Sequence, residues 1–405
     1  MIIKYNMQAT NRPFLIKAFN LFKIPSSLYR DDLLNVAKKK TAITDFDNKE
    51  FIEGFEILLD SINKEAQLHP FGKFITKQRL INVLANRLRV EELLKKHPEI
   101  LEIEIKEPII ITGLQRTGTT RLHRLLSSHP SIRSLKSWEA LNPVPLKNDQ
   151  FNKQRISFAK TAEKALKYMS PEFFSIHPVE HEAPEEDILI NDMTFVSTVP
   201  EATMHLPTYA YWVQNQSHLE AYRYLKKILQ ILTCQNPNTR WVLKTPQYLE
   251  FLEEANMVFP DAKFIHTYRD PLKVLPSFFS MVYHSRKIFS NHVSTTQSAR
   301  HWLTKNSYMM KKAMHYWSTN SSTNTIHVSY YDMLSNPIEE MKKIYSFVGL
   351  DFDATAQKNL QDVDQENKQN KYGVHKYALS DFNLTKEDIE KEFELYRTTF
   401  KIPYE

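Results

Sequence analysis

Eight consecutive residues, Gly113-Leu114-Gln115-Arg116-Thr117-Gly118-Thr119-Thr120, join two glycines five positions apart to one arginine and three threonines. Backbone N–H groups of such a loop, backed by a helix N-terminus, form a concave anion site. The spacing follows Gly-x-x-x-x-Gly-Lys-Ser/Thr, but Thr119 stands where nucleotide triphosphatases carry their lysine. The cation has moved inside the loop, to Arg116, and Thr117, Thr119 and Thr120 add hydroxyls. Such a loop suits an anion that needs neither a triphosphate clamp nor a metal. A second anion site is written in Tyr268-Arg269-Asp270-Pro271, with Ser277 eight residues after Arg269. Arginine binds phosphate bidentately, and a serine about two turns into the next helix is within its reach.

These residues need elements to hold them. Ile109-Ile110-Ile111-Thr112 is a short β-branched apolar run, as expected of a buried parallel strand. After the loop, Leu122, Leu125 and Leu126 recur at helical spacing, so strand, glycine-bracketed loop and helix open a P-loop α/β unit. Trp241-Val242-Leu243, Lys263 to Tyr268 and Thr325 to Tyr330 read as further strands of one sheet. A helix carrying Leu249 and Leu252 must end near Pro260, and Asp270-Pro271 starts another with an N-cap and an N1 proline. The expected fold is a three-layer α/β domain around a central parallel sheet, residues 107–405, with a helical insertion at about 150–235. Residues 1–106 form a helical region before it: Asp31-Asp32 opens one helix, Phe51, Phe55, Leu58, Leu59 and Ile62 mark a second, and Leu80 to Leu94 a third or a pair. The aromatic stretch 195–224 reads mainly as core, with lining of an apolar pocket as the alternative. The polar stretch 361–373 reads as a loop.

Composition narrows the classes. At 405 residues, 42% hydrophobic and 25% charged, the chain is an ordinary globular one with room for a large core. Its formal charge of +6 is modest, and lysine and arginine are spread beside comparable acid, so nucleic acid is not an expected partner. The positive balance suits a small polyanion. The single cysteine, Cys234, excludes an intrachain disulfide and is expected to pack on a helix; a cytoplasmic setting follows. Met1-Ile2-Ile3-Lys4-Tyr5-Asn6 lacks the apolar core of a signal peptide, and no apolar run approaches the ~18 residues of a membrane span. Only six glycines occur, so the pair in the loop implies a backbone requirement there.

Taken together the motifs resemble the PAPS-dependent sulfotransferases, in particular the bacterial-type branch whose loop reads Gly-Leu-Pro-Arg-Ser-Gly-Thr-Thr. The resemblance extends through Trp138-Glu139, His177-Pro178, Pro184-Glu185-Glu186, Leu243-Lys244-Thr245-Pro246 and Lys371-Tyr372-Gly373-Val374-His375-Lys376-Tyr377. It implies transfer of a sulfuryl group from 3′-phosphoadenosine 5′-phosphosulfate (PAPS) to a hydroxyl or amine of a small-molecule acceptor, with no metal required. It implies that Gln115, Arg116, Thr117, Gly118, Thr119 and Thr120 surround the 5′-phosphosulfate. Arg269 and Ser277 match the 3′-phosphate binders, and Lys371, His375 and Tyr377 resemble a segment closing over the nucleotide.

Sulfuryl transfer, like phosphoryl transfer, passes through a loose transition state that needs positioning and fixed positive charge. Arg116 and Lys244 are the candidate cations. The acceptor must also lose a proton. Phenol- and steroid-type members place a histidine two residues after the corresponding lysine, where this chain has Pro246. Some relatives use a glutamate instead, so the resemblance makes Glu139 the first candidate base, with His177, His181, Glu182 and Glu185 as alternatives; capping or an ion pair is the competing role for Glu139. A P-loop kinase and a non-catalytic nucleotide-binding protein are the rival classes, and Thr119 argues against the kinase. Acceptor identity and a homo-oligomeric state stay open.

Overall fold

The computed structural model describes residues 12–22, 27–147, 149–237, 240–320, 324–366 and 377–405. Five strands, β1 (Ile109–Gly113), β2 (Ile132–Ser134), β3 (Arg240–Lys244), β4 (Lys263–Tyr268) and β5 (Thr325–Ser329), form one parallel sheet in the order β2-β3-β1-β4-β5. Ile109, Ile110 and Ile111 are fully buried, as a strand covered on both faces requires. The period-2 alternation divides them. Ile110, Trp241, Leu243 and Phe264 face one apolar cluster, while Ile109, Ile111, Val242 and Ile265 face another with Leu122 and Leu125. Sheet and two helical faces give the expected three-layer α/β architecture.

The N-terminal region is helical, with α1 (Arg30–Thr41), α2 (Ile52–Glu65) and α3 (Pro70–Lys96) following a short helix Phe14–Phe19. Its apolar cluster, built on Phe51, Phe55, Leu58, Ile62 and Leu84, also takes in Phe195, Met204 and Tyr209. Much of the aromatic stretch is thus core; Tyr211, 73% exposed, is the exception.

Three details depart from the sequence reading. The edge strand β2, three residues long, carries too little pattern to be seen beforehand. Residues 361–366 are the last turns of a helix, Ala354–Glu366, because Ala356 and Leu360 anchor its apolar face; 367–373 lie outside the described residues. Cys234 sits on the helix Leu219–Gln235 but is exposed, sharing a stripe with exposed Arg223 and Lys227 opposite the buried Leu225, Ile228 and Leu229.

Candidate active site

The C-terminal ends of β1, β3, β4 and β5 gather the chemistry at one edge of the sheet. The loop after β1 runs into α4 (Thr119–Leu126). Gly113 is required by close approach: a Cβ there would lie 2.5 Å from the Thr267 carbonyl oxygen. Gly118 is required by its φ of +92°. Arg116 adopts a φ of +72°, unusual for a residue with a side chain. Strain of that kind, of order 1–3 kcal/mol, persists where surrounding structure imposes it and clusters at functional sites.

The Thr117 hydroxyl donates to Leu114 O at 2.6 Å and meets Thr267 Oγ1 at 2.7 Å, so it ties the loop to β4. Thr119 is buried and Thr120 exposed at the start of α4. Gln115 Oε1 is buried with no hydrogen-bond partner among the described residues.

The two sequence motifs meet. Arg116 Nε donates to Ser277 Oγ at 3.1 Å, across 161 positions of chain, and its Nη1 donates to Ile176 O at 2.9 Å. Ser277 is buried on α5 (Pro271–Phe289), which Asp270 caps by accepting from Leu272 N at 2.9 Å. Arg269 Nη1 approaches Arg116 O at 3.4 Å, and its guanidinium lies 3.9 Å from the Tyr330 ring centroid. Its Nε and Nη2 donate to the two oxygens of Glu405, at 2.7 and 2.9 Å. Burial would raise the Glu405 carboxyl, but Arg269 holds it below its ordinary value. Arg269 therefore already grips an oxyanion through two parallel bonds, the geometry that also suits phosphate.

A second cluster surrounds the end of β3. Lys244 is 3% exposed; its Nζ donates to Glu186 Oε1 at 2.5 Å and its backbone N–H to Asp187 Oδ1 at 2.8 Å. Tyr248 OH donates to Asp187 Oδ2 at 2.6 Å. Burial pushes Asp187 up to about 6 and Glu185 up to about 7. His177 follows Ile176, the residue whose carbonyl holds Arg116. Burial pushes its imidazole down to about 4; Glu186 opposes this, while Lys244, Arg116 and Arg124 add to it. His177 thus lies within electrostatic range of both candidate cations. His123 on α4, fully buried where His177 is half-buried, is pushed down to about 3 by burial and then by Lys244.

The oxygens of Glu139 are both engaged within the fold. The residue lies in the short helix Ser137–Leu141, buried, where Oε1 accepts from Arg133 Nη2 at 2.6 Å and Oε2 accepts from Lys136 N at 3.0 Å. Both oxygens serve an ion pair and a helix cap, the competing role, and the carboxylate does not join the Arg116 group. His181 Nδ1 pairs with Glu163 at 2.6 Å and lines, with Glu182 and Arg124, a cleft of about 470 Å³. Tyr377 is half-buried and lies within electrostatic range of Arg116. Lys371 and His375 fall outside the described residues. The partners of these groups, namely Glu186 and Asp187 for Lys244 and Tyr330 and Glu405 for Arg269, were not foreseen as partners. Of these, only Glu186 lies in a motif singled out in the sequence, Pro184-Glu185-Glu186, where Glu185 alone had a role, as an alternative base.

The sequence profile of the sulfotransferase family matches residues 108–354, the segment that contains all five strands. The chain belongs to the sulfotransferase family. It is 28% identical over 179 residues to the omega-hydroxy-beta-dihydromenaquinone-9 sulfotransferase Stf3 of Mycobacterium bovis, a stretch covering 42% of this chain and 44% of that protein. The same figures hold for Stf3 of Mycobacterium tuberculosis, so the match spans less than half the length of these curated relatives. The crystal structure of sulfotransferase STF1 from Mycobacterium tuberculosis superposes with a TM-score of 0.80 at 26% identity, over 91% of this chain and 99% of that one. Sulfotransferase STF9 from Mycobacterium avium superposes with a TM-score of 0.84 at 24% identity, over 95% and 99%, and shares the fold. Among the described residues no helix is long and apolar enough to cross a membrane.

Proposed function

We propose that this chain transfers a sulfuryl group from PAPS to a hydroxyl or amine of a small acceptor, without a metal. The observation that carries the reading is the convergence of Arg116 on Arg269 and Ser277, which lie 153 and 161 positions away in sequence. The residues fit the donor: the carboxylate of Glu405 on the Arg269 fork is an oxyanion where the 3′-phosphate is expected. Arg269 and Ser277 would hold that phosphate, and the loop from Gln115 to Thr120 the 5′-phosphosulfate. The donor supplies an activated sulfuryl group on a phosphate leaving group. Arg116 and Lys244 supply fixed positive charge beside it, in a site where cations are worth more than in water.

His177 is the base we favour. It is neutral at pH 7, so it carries a free lone pair, and it neighbours both cations. The cations that lower its pKa would be offset by a bound polyanion, which moves the imidazole toward the range where a general base is effective.

The test is calorimetry with adenosine 3′,5′-bisphosphate, the expected product, in the presence of EDTA. Binding is expected for the full chain and is expected to weaken in Arg269→Ala. Binding of ATP–magnesium but not of the bisphosphate would favour the kinase reading. Turnover of labelled PAPS with any acceptor separates the enzyme from a non-catalytic nucleotide-binding protein.

A further inference from the structure

Away from these residues, a cleft of about 480 Å³ opens beside the C-terminal part of α5. Its other walls are the segment after α2 and the start of α6 (Thr295–Thr319). Arg286, His205, His292, Ser294, Gln297 and Glu65 line it. Arg286 stands nine residues beyond Ser277 on the same helix, about 14 Å along its axis and about half a turn around it. The cleft is therefore separate from the donor site.

Two independent features make it receptive to an anion. The first is Arg286, only 4% exposed. One of its terminal nitrogens donates to Glu201 O at 2.8 Å, but its Nε has no acceptor among the described residues. A buried guanidinium N–H without an acceptor calls for a missing partner. Burial pushes the group down to about 10, and Glu201 opposes this only in part. The second is the N-terminus of α6. This helix has 25 residues, Ser294 at its N-cap, and no acidic side chain in its first turn to meet its positive end. Ser294 Oγ accepts from Gln297 N at 3.2 Å. Of the acids nearby, Glu65 accepts from Thr208 N at 3.3 Å and from Thr208 Oγ1, and Glu201 Oε1 pairs with His301, while Glu201 Oε2 has no hydrogen-bond partner among the described residues.

We propose that this cleft is a second ligand site, which takes a small organic oxyanion with its sulfate or carboxylate head against Arg286 and the N-terminus of α6. His205, half-buried, and His292 flank the head group, and the remaining volume accommodates the body of the ligand. The site does not depend on the donor reading, because it shares no residue with it.

Inorganic sulfate is the probe, titrated calorimetrically into the full chain at constant ionic strength. Arg269→Ala is expected to leave sulfate binding at this cleft in place. Arg286→Gln is expected to lower that affinity about tenfold or more, the usual weight of a charge-assisted hydrogen bond. Gln297→Glu, at an exposed position in the first turn of α6, favours the helix yet repels the anion, and is expected to weaken binding several-fold. Should Arg286→Gln fail to fold, Gln297→Glu decides. Sulfate binding that disappears in Arg269→Ala, or that Gln297→Glu leaves unchanged, overturns the proposal.

Discussion

The groups around Arg116 and those around Lys244 lie at the same sheet edge but are built on opposite terms. Arg116, Ser277 and Arg269 offer donors, and the one acid they hold, Glu405, sits on a guanidinium fork that is still partly exposed. Lys244 is instead a single buried cation facing Glu186, with Asp187 bonded to its backbone and Glu185 adjacent. The first arrangement can exchange its carboxylate for another oxyanion. The second cannot release a charge cheaply, because breaking a buried pair leaves its partner uncompensated, a cost of about 3–5 kcal/mol. One group is suited to binding and the other to holding charge and protons in place; His177 lies within electrostatic range of both.

The sharpest way to break this division is at His177. His177→Gln is expected to lower kcat roughly 10²–10⁴-fold while the bisphosphate still binds, as loss of a general base requires. In the unaltered chain kcat/KM should fall on the acid side as the free imidazole protonates near pH 4, and the variant should lack that limb. A variant with near-normal kcat would remove His177 from the chemistry.

Arg269→Ala tests the other side. Bisphosphate affinity is expected to drop about tenfold or more, with a smaller change in kcat at saturating donor. Unchanged affinity in a folded variant would show that the fork grips only Glu405.

Glu185 supplies a pH test of the second group. Its folded pKa, about 7, lies above the ordinary carboxyl value, so the native state binds the proton more tightly than the unfolded chain does. Its contribution to stability is then present below about pH 4.5 and lost as the pH rises through 7. Glu185→Gln should flatten the decline between those limits relative to the unaltered chain. Denaturant midpoints measured at half-unit pH steps would reveal it, and an identical slope in both proteins would contradict the assignment.

The smallest effect on activity is expected at Glu139. Glu139→Gln should keep near-normal kcat and lose several kcal/mol of stability, about 1 kcal/mol for the weakened cap and more for the broken buried Arg133 pair, which leaves Arg133 uncompensated. A fall in kcat of a hundredfold with an unaltered melting temperature would restore Glu139 as the base.

Local chemistry was legible in the linear chain. The strands Ile109–Gly113 and Lys263–Tyr268, the Asp270 cap with Pro271, and the anion loop all depend on neighbours in sequence, and residue type alone specifies them. The short strand Ile132–Ser134 was not legible, because three residues hold no period; its partner β3 defines it. The same limit governs the site. Glu139 as cap or base and Cys234 as packed or exposed each turn on which distant segment arrives beside them. The Arg116–Ser277 contact spans 161 positions and Lys244–Glu186 spans 58. Sequence determined which residues were able to bind an oxyanion. Tertiary structure decided which were brought together and desolvated, and desolvation by distant chain is what displaced the ionisation of His177 and Glu185 from their ordinary values.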